Sequence, residues 1–84
     1  MNYVLTEHAK ESLQRRSNIQ LHWLEQAITT PHRIEKDAID SELTHYLYKV
    51  SEFEGRVLRV IVNSTVEPIR IITAFFDRNM RNKL

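Results

Sequence analysis

Two eight-residue runs, RVLRVIVN at 56–63 and IRIITAFF at 69–76, are rich in branched and aromatic residues and are separated by the turn-forming STVEP. Such runs read as strands, and two of them around a short polar connection read as an antiparallel hairpin. Strand side chains alternate between faces, so Arg56, Leu58, Val60 and Val62 share one face while Val57, Arg59 and Ile61 share the other. A hairpin symmetric about Val66 pairs Asn63 with Ile69 and Arg59 with Thr73, and adds Ile72, Ala74 and Phe76 to the more apolar face. The pattern therefore predicts that this face is covered and that Arg59 and Thr73 lie side by side on a partly open one. A slip of one residue would drive Arg59 into the core, at a cost on the order of several kcal/mol unless it were paired there.

The rest of the chain supplies the cover. YVL at 3–5 can form a short strand, after which Thr6 is a helix N-cap with Glu7 in the first turn. A helix then runs towards Arg16 with Ala9 and Leu13 as its apolar stripe. Ile19, Leu21, Trp23, Leu24, Ala27 and Ile28 form the broader apolar face of a second helix, capped at Ser17 or Asn18 and stopped before Pro31, with Trp23 as a core anchor. HRIEKDAID is ambiguous, but LTHYLYKV at 43–50 reads as a strand. If Leu43 and Leu47 join the covered face, Tyr46 and Tyr48 come to lie beside Arg59. There they could stack bases and donate to phosphate, or simply pack across strands. SEFEG, with the only glycine, turns the chain into the hairpin, and residues 77–84, DRNMRNKL, read as a mobile basic tail. The expectation is a single α+β domain over 1–84, with two N-terminal helices on one face of a three- to four-stranded antiparallel sheet.

The net charge of +1 hides an asymmetry. Residues 1–55 carry six Lys/Arg against nine Asp/Glu, and residues 56–84 carry six against two. A basic C-terminal half suits a phosphate backbone, although a solvated surface strand and tail would look the same. The chain has no cysteine, which excludes disulfide and thiolate chemistry. The N-terminus lacks a basic flank followed by an apolar run, and no window resembles a membrane span, so a cytoplasmic protein off the membrane is expected. His8, His22, His32 and His45 show no zinc-ligand spacing, and there is neither a glycine-rich phosphate loop nor a nucleophile elbow, so no metal or cofactor is expected. His, Arg, Tyr and Thr remain, and these can handle phosphodiesters without a metal. His8 and Arg15 lie two helical turns apart near one line, with Arg16 about 100° further round. A histidine there could move a proton at an RNA 2′-hydroxyl while arginine stabilises the pentacovalent charge, or it could be an exposed helix residue.

Taken together, TEHAKESLQRRSNI, LEQAITTP, GRVLRVIV and IRIITAFF resemble a family of small stand-alone bacterial domains of unknown function related to BrnT and RelE-like toxins. The resemblance rests on His8 and Ala9, Arg16, Pro31, Gly55 and Arg56, Leu58 to Val60, and Thr73. Ser12 departs from it where an arginine is frequent, as does SN before Ile19 in place of a single glycine. The resemblance implies the barnase/EndoU/colicin/RelE-like fold and a metal-independent endoribonuclease, the toxin half of a toxin–antitoxin pair. On that expectation His8 moves a proton, Arg16 and Arg59 hold phosphate, and Thr73 and Tyr48 position the substrate. Tyr46, Arg56, Arg78 and Arg81 add substrate contacts. The partners would be RNA, free or on the ribosome, and a small antitoxin-like protein. The rival readings are a catalytically silent binding module and a homodimer formed through the last strand, were it at a sheet edge.

Overall fold

The computed structural model describes residues 2–16 and 18–84. The order of elements is β1 (Tyr3–Leu5), α1 (Glu7–Arg15), α2 (Leu21–Thr29), β2 (Arg33–Lys36), β3 (Leu43–Val50), β4 (Arg56–Asn63) and β5 (Ile69–Phe76), with single 3-10 turns at Ser51–Phe53 and Arg78–Met80. The domain is α+β, as expected. The sheet, however, has five strands in the order β1-β5-β4-β3-β2, and it is mixed. β2 to β5 form the antiparallel meander, whereas β1 returns to pair in parallel with β5 through Tyr3 and Ile69, Val4 and Arg70, and Leu5 and Ile71. β5 is therefore not the edge strand, and its first three residues, Ile69–Ile71, are paired on both sides. No helix among the described residues is long and apolar enough to cross a membrane.

Thr6 joins β1 to α1. Its hydroxyl accepts from the Ala9 N–H at 3.1 Å as an N-cap and donates to the Ile71 carbonyl at 3.1 Å, which satisfies a helix-end donor while anchoring the strand. Glu7 in the first turn and Arg15 in the last complement the helix dipole. α2 begins later than its apolar face suggests, at Leu21, and its N-cap Gln20 makes no side-chain capping bond. Asn18 thus does not cap it, and the alternative cap, Ser17, lies outside the described residues.

Both helices cover one sheet face. Ala9, Ile19, Trp23, Leu24, Ala27 and Ile28 close over Val50, Leu58, Val60, Val62, Ile71 and Ala74, all buried. Trp23 anchors this core as expected, stacked on Phe53 at 5.5 Å and edge-on to Phe76 at 6.2 Å, with its indole N–H donating to Glu52. The hairpin register differs from the symmetric one. Arg59 pairs with Phe75 and Thr73 with Ile61, then Val62 pairs with Ile71, so a bulge leaves Ile72 as an extra residue. The bulge resets the alternation of β5, which puts Ile71, in place of Ile72, in the core beside Ala74. Thr73 does not adjoin Arg59; its hydroxyl lies 3.2 Å from that of buried Ser12 in α1.

β3 also presents the opposite face from that expected. Tyr48 pairs with Leu58 and Leu47 with Arg59, and paired residues share a face. Tyr46 and Tyr48 therefore pack against the helix-covered core, and Tyr48 donates to Gln26 of α2 at 2.6 Å. Leu47 lies on the other face, where it meets Val57, Met80 and Leu84. Residues 77–84 are basic as expected but are folded back over the sheet, with Met80 buried among those side chains. The ambiguous HRIEKDAID becomes edge strand β2 followed by a turn in which Asp37 Oδ2 accepts from the N–H groups of Ile39 and Asp40.

Candidate functional site

Apart from Arg59, the residues singled out from the sequence divide into three groups. His8 is exposed in the first turn of α1, and the helical rise puts it about 12 Å along the axis from Arg16. Thr73, Tyr46 and Tyr48 are taken up by the helix layer, through Ser12, the core and Gln26. Arg59 lies across the sheet from the helices, so His8 and Arg59 do not share a site.

Arg59 is held in a charge network on that far face. Its Nε–H donates to Asp77 Oδ2 at 2.8 Å, and Nη1 donates to His45 Nδ1 at 2.6 Å and to Glu35 Oε1 at 3.3 Å. The guanidinium has no acceptor, so His45 Nδ1 must carry a lone pair and its Nε2–H must donate to Asp37 Oδ1, 2.7 Å away. The side chains of Arg59, Asp77 and His45 are only 13–14% exposed. At that burial a charge persists only when paired and hydrogen-bonded. The Asp37 carboxyl is lowered to about 2, chiefly by the Asp40 N–H, then by His45 and the Ile39 N–H. Arg59 is thus already engaged by protein carboxylates through Nε and Nη1.

The third group does converge. Arg16, Arg56, Arg78 and Arg81 line one pocket of about 600 Å³, together with Asn18, Val57, Phe75, Phe76 and Asp77. Each arginine arrives by a different local device. Arg16 is the C-cap of α1, its N–H donating to the Ser12 carbonyl. Arg56 opens β4, its guanidinium 4.6 Å from the Phe53 ring centroid. The turn before it needs the left-handed backbone of Glu54 (φ 59°) and Gly55 (φ 69°), a conformation that glycine adopts at no steric cost.

Arg78 and Arg81 are placed by the C-terminal turn. Asp77 caps it by accepting from the Asn79 N–H at 2.9 Å, donates its own N–H to the Val57 carbonyl at 2.8 Å, and is clamped from the sheet by Arg59. Met80 plugs the apolar far face next to Leu47 and Val57. Arg59 therefore contributes to the pocket by holding Asp77.

The lining carries four cations against one carboxylate, Asp77, which Arg59 already neutralises. Glu54 lies 3.7 Å from Arg56 and 3.9 Å from Arg81 in exposed surroundings, where such pairs contribute little. A cluster of like charge around a concave surface focuses potential and draws anions. No histidine is among the lining residues. The sequence signalled this site through the basic bias of residues 56–84 and, for Arg16, through the family resemblance. The roles of Asn18 and Phe75 as lining, and of Asp77, His45, Glu35 and Asp37 as the scaffold behind it, depend on where the last turn docks, and no local pattern announces that.

Residues 5–76 match the model of a family described as a domain of unknown function, DUF4258. No curated protein and no solved structure matches the chain.

Proposed function

The chain belongs to the DUF4258 family of domains of unknown function, and from that premise we propose that it is a toxin-like, RNA-binding domain that cleaves RNA without a metal at the arginine pocket. The observation that carries this reading is the convergence of Arg16, Arg56, Arg78 and Arg81 on one pocket. Bidentate guanidinium donors suit the non-bridging oxygens of a phosphodiester and the extra charge of its pentacovalent state. In the reaction the 2′-oxygen attacks the adjacent phosphorus, the bond to the 5′-oxygen breaks, and a proton passes from the 2′-hydroxyl to the leaving oxygen. A 2′,3′-cyclic phosphate and a 5′-hydroxyl result. His8 is the group proposed to move that proton; it lies about 12 Å along α1 from Arg16, so the scissile phosphate is the one that a strand anchored by the arginines carries along α1 towards it. The relation to BrnT and RelE-like toxins belongs to the same proposal, as does a small antitoxin-like partner, which would block the pocket, and a cytoplasmic site of action on free or ribosomal RNA.

The purified protein, incubated with RNA in a chelator and with and without ribosomes, should yield cyclic-phosphate ends. Arg56→Ala and Arg78→Ala should each weaken binding and lower cleavage with it, and His8→Ala should abolish cleavage alone. RNA that stays intact and unbound at low salt overturns the reading.

A second reading, a catalytically silent RNA-binding module, is favoured by one observation, the absence of histidine from the pocket lining. Binding that depends on the arginines, with no cyclic-phosphate product, would select it.

A further inference from the structure

We infer that the pocket takes single-stranded RNA, with one unstacked base laid against Phe75 and the flanking phosphates held by the arginines. This rests on the proposed binding of RNA and names the form of RNA bound. A site for phosphate alone needs only donors, yet Val57, Phe75 and Phe76 give this lining an apolar portion.

The two phenylalanines are not equivalent. Phe76 is engaged in the core, its ring 5.2 Å from that of Phe53 and 6.2 Å from that of Trp23. Phe75 points to the other face, opposite Arg59 in the ladder, is partly exposed, and among the described residues pairs with no aromatic ring. An accessible aromatic ring among arginines is the combination that binds unpaired bases, by stacking that tolerates any base.

The pocket size agrees, since about 600 Å³ lies within the range of roughly 300–1,000 Å³ typical of small-molecule sites. A duplex offers phosphates on its outside but keeps its bases paired and stacked, so it could reach the arginines and leave Phe75 unused. Asn18, also in the lining, brings an amide that can donate to and accept from a base edge.

The test measures anisotropy of a fluorescein-labelled RNA of about 12 nucleotides, within the usual site size, as a single strand and as a duplex at one salt concentration. The His8→Ala protein serves as host so that the strand survives. The single strand is expected to bind at least tenfold more tightly. Phe75→Leu should weaken single-strand binding about tenfold while leaving duplex and inorganic polyphosphate binding unchanged, and Phe75→Tyr should restore it. Equal affinity for the two forms, or a folded Phe75→Leu protein with undiminished single-strand affinity, overturns the inference. Arg78→Ala separates this from the reading beneath it. If that variant weakens RNA binding while Phe75→Leu does not, only base stacking falls. If it loses none, the pocket is not the RNA site.

Discussion

Arg59 Nη1 lies 2.6 Å from His45 Nδ1, close enough that the imidazole nitrogen must be an acceptor. The contact fixes the tautomer of His45 and extends one hydrogen-bonded line from Asp37 through His45 and Arg59 to Asp77. That line runs from the turn after β2 across β3 and β4 and ends at the cap of the turn that carries Arg78. The far sheet face is thus a brace for the pocket.

Arg59 should accordingly behave as a structural residue. Arg59→Met leaves Asp77, Glu35 and His45 without their shared donor, and removing one partner of such a buried pair costs about 3–5 kcal/mol. Urea unfolding should register that loss, and Asp77→Asn should overlap with it in a double-mutant cycle because both act on one contact. Additive losses would mean that the two are not coupled.

Acid should weaken the same network through Asp37. Its carboxyl titrates at about 2 in the folded protein against an ordinary 3.8, so near pH 3 the unfolded chain binds more protons than the folded one. The contribution of Asp37 is present above about pH 4 and is lost as pH falls towards 2. Stability measured from pH 5 to pH 2 should fall less steeply in Asp37→Asn than in the wild type.

Ser12 tests the helix layer. It is fully buried, and its hydroxyl meets that of Thr73, so Ser12→Ala should cost about 1–3 kcal/mol by leaving Thr73 unpaired. Ser12→Arg should lower stability further, since the site is fully buried in this chain and a guanidinium there must find a partner or reach water; an unchanged melting temperature would contradict this packing.

RNA affinity should depend on salt in proportion to the arginines engaged. With four phosphates neutralised at roughly 0.7 per contact for a single strand, log Kd should rise against log salt with a slope of about 3. Arg56→Ala, Arg78→Ala and Arg81→Ala should each lower that slope by close to one contact.

Much of this arrangement could be read from local pattern. Thr6 announces α1 because a capping residue before an apolar stripe has one common use, and Leu58, Val60 and Val62 identify the buried face of β4 by strict alternation. β3 was not legible in the same way. Leu and Tyr alternate in LTHYLYKV, and both suit a core, so only its pairing with β4 decides which set is covered. The bulge at Ile72 follows from long-range pairing in an evenly apolar strand. The parallel β1–β5 pair brings together residues some 66 positions apart, and within residues 77–84 only Met80 and Leu84 are apolar enough to signal that the last turn docks. Arg56, Arg78 and Arg81 could be named as candidate contacts from charge; that Arg16 joins them, and that Arg59, Thr73, Tyr46 and Tyr48 do not, is a property of the assembled sheet.

β1 has a further consequence, for the path by which the molecule reaches its native state. β5 is the most apolar strand, and its outer edge is covered only by three residues from the opposite end of the chain. Hairpins between neighbouring strands close quickly, whereas this closure waits on a long loop. Until Tyr3–Leu5 docks, the whole outer edge of IRIITAFF is open, so the risk of self-association is greatest in the partly folded chain and is reduced once β1 covers Ile69–Ile71. A chain lacking residues 2–6 should associate at concentrations where the intact protein scatters no additional light.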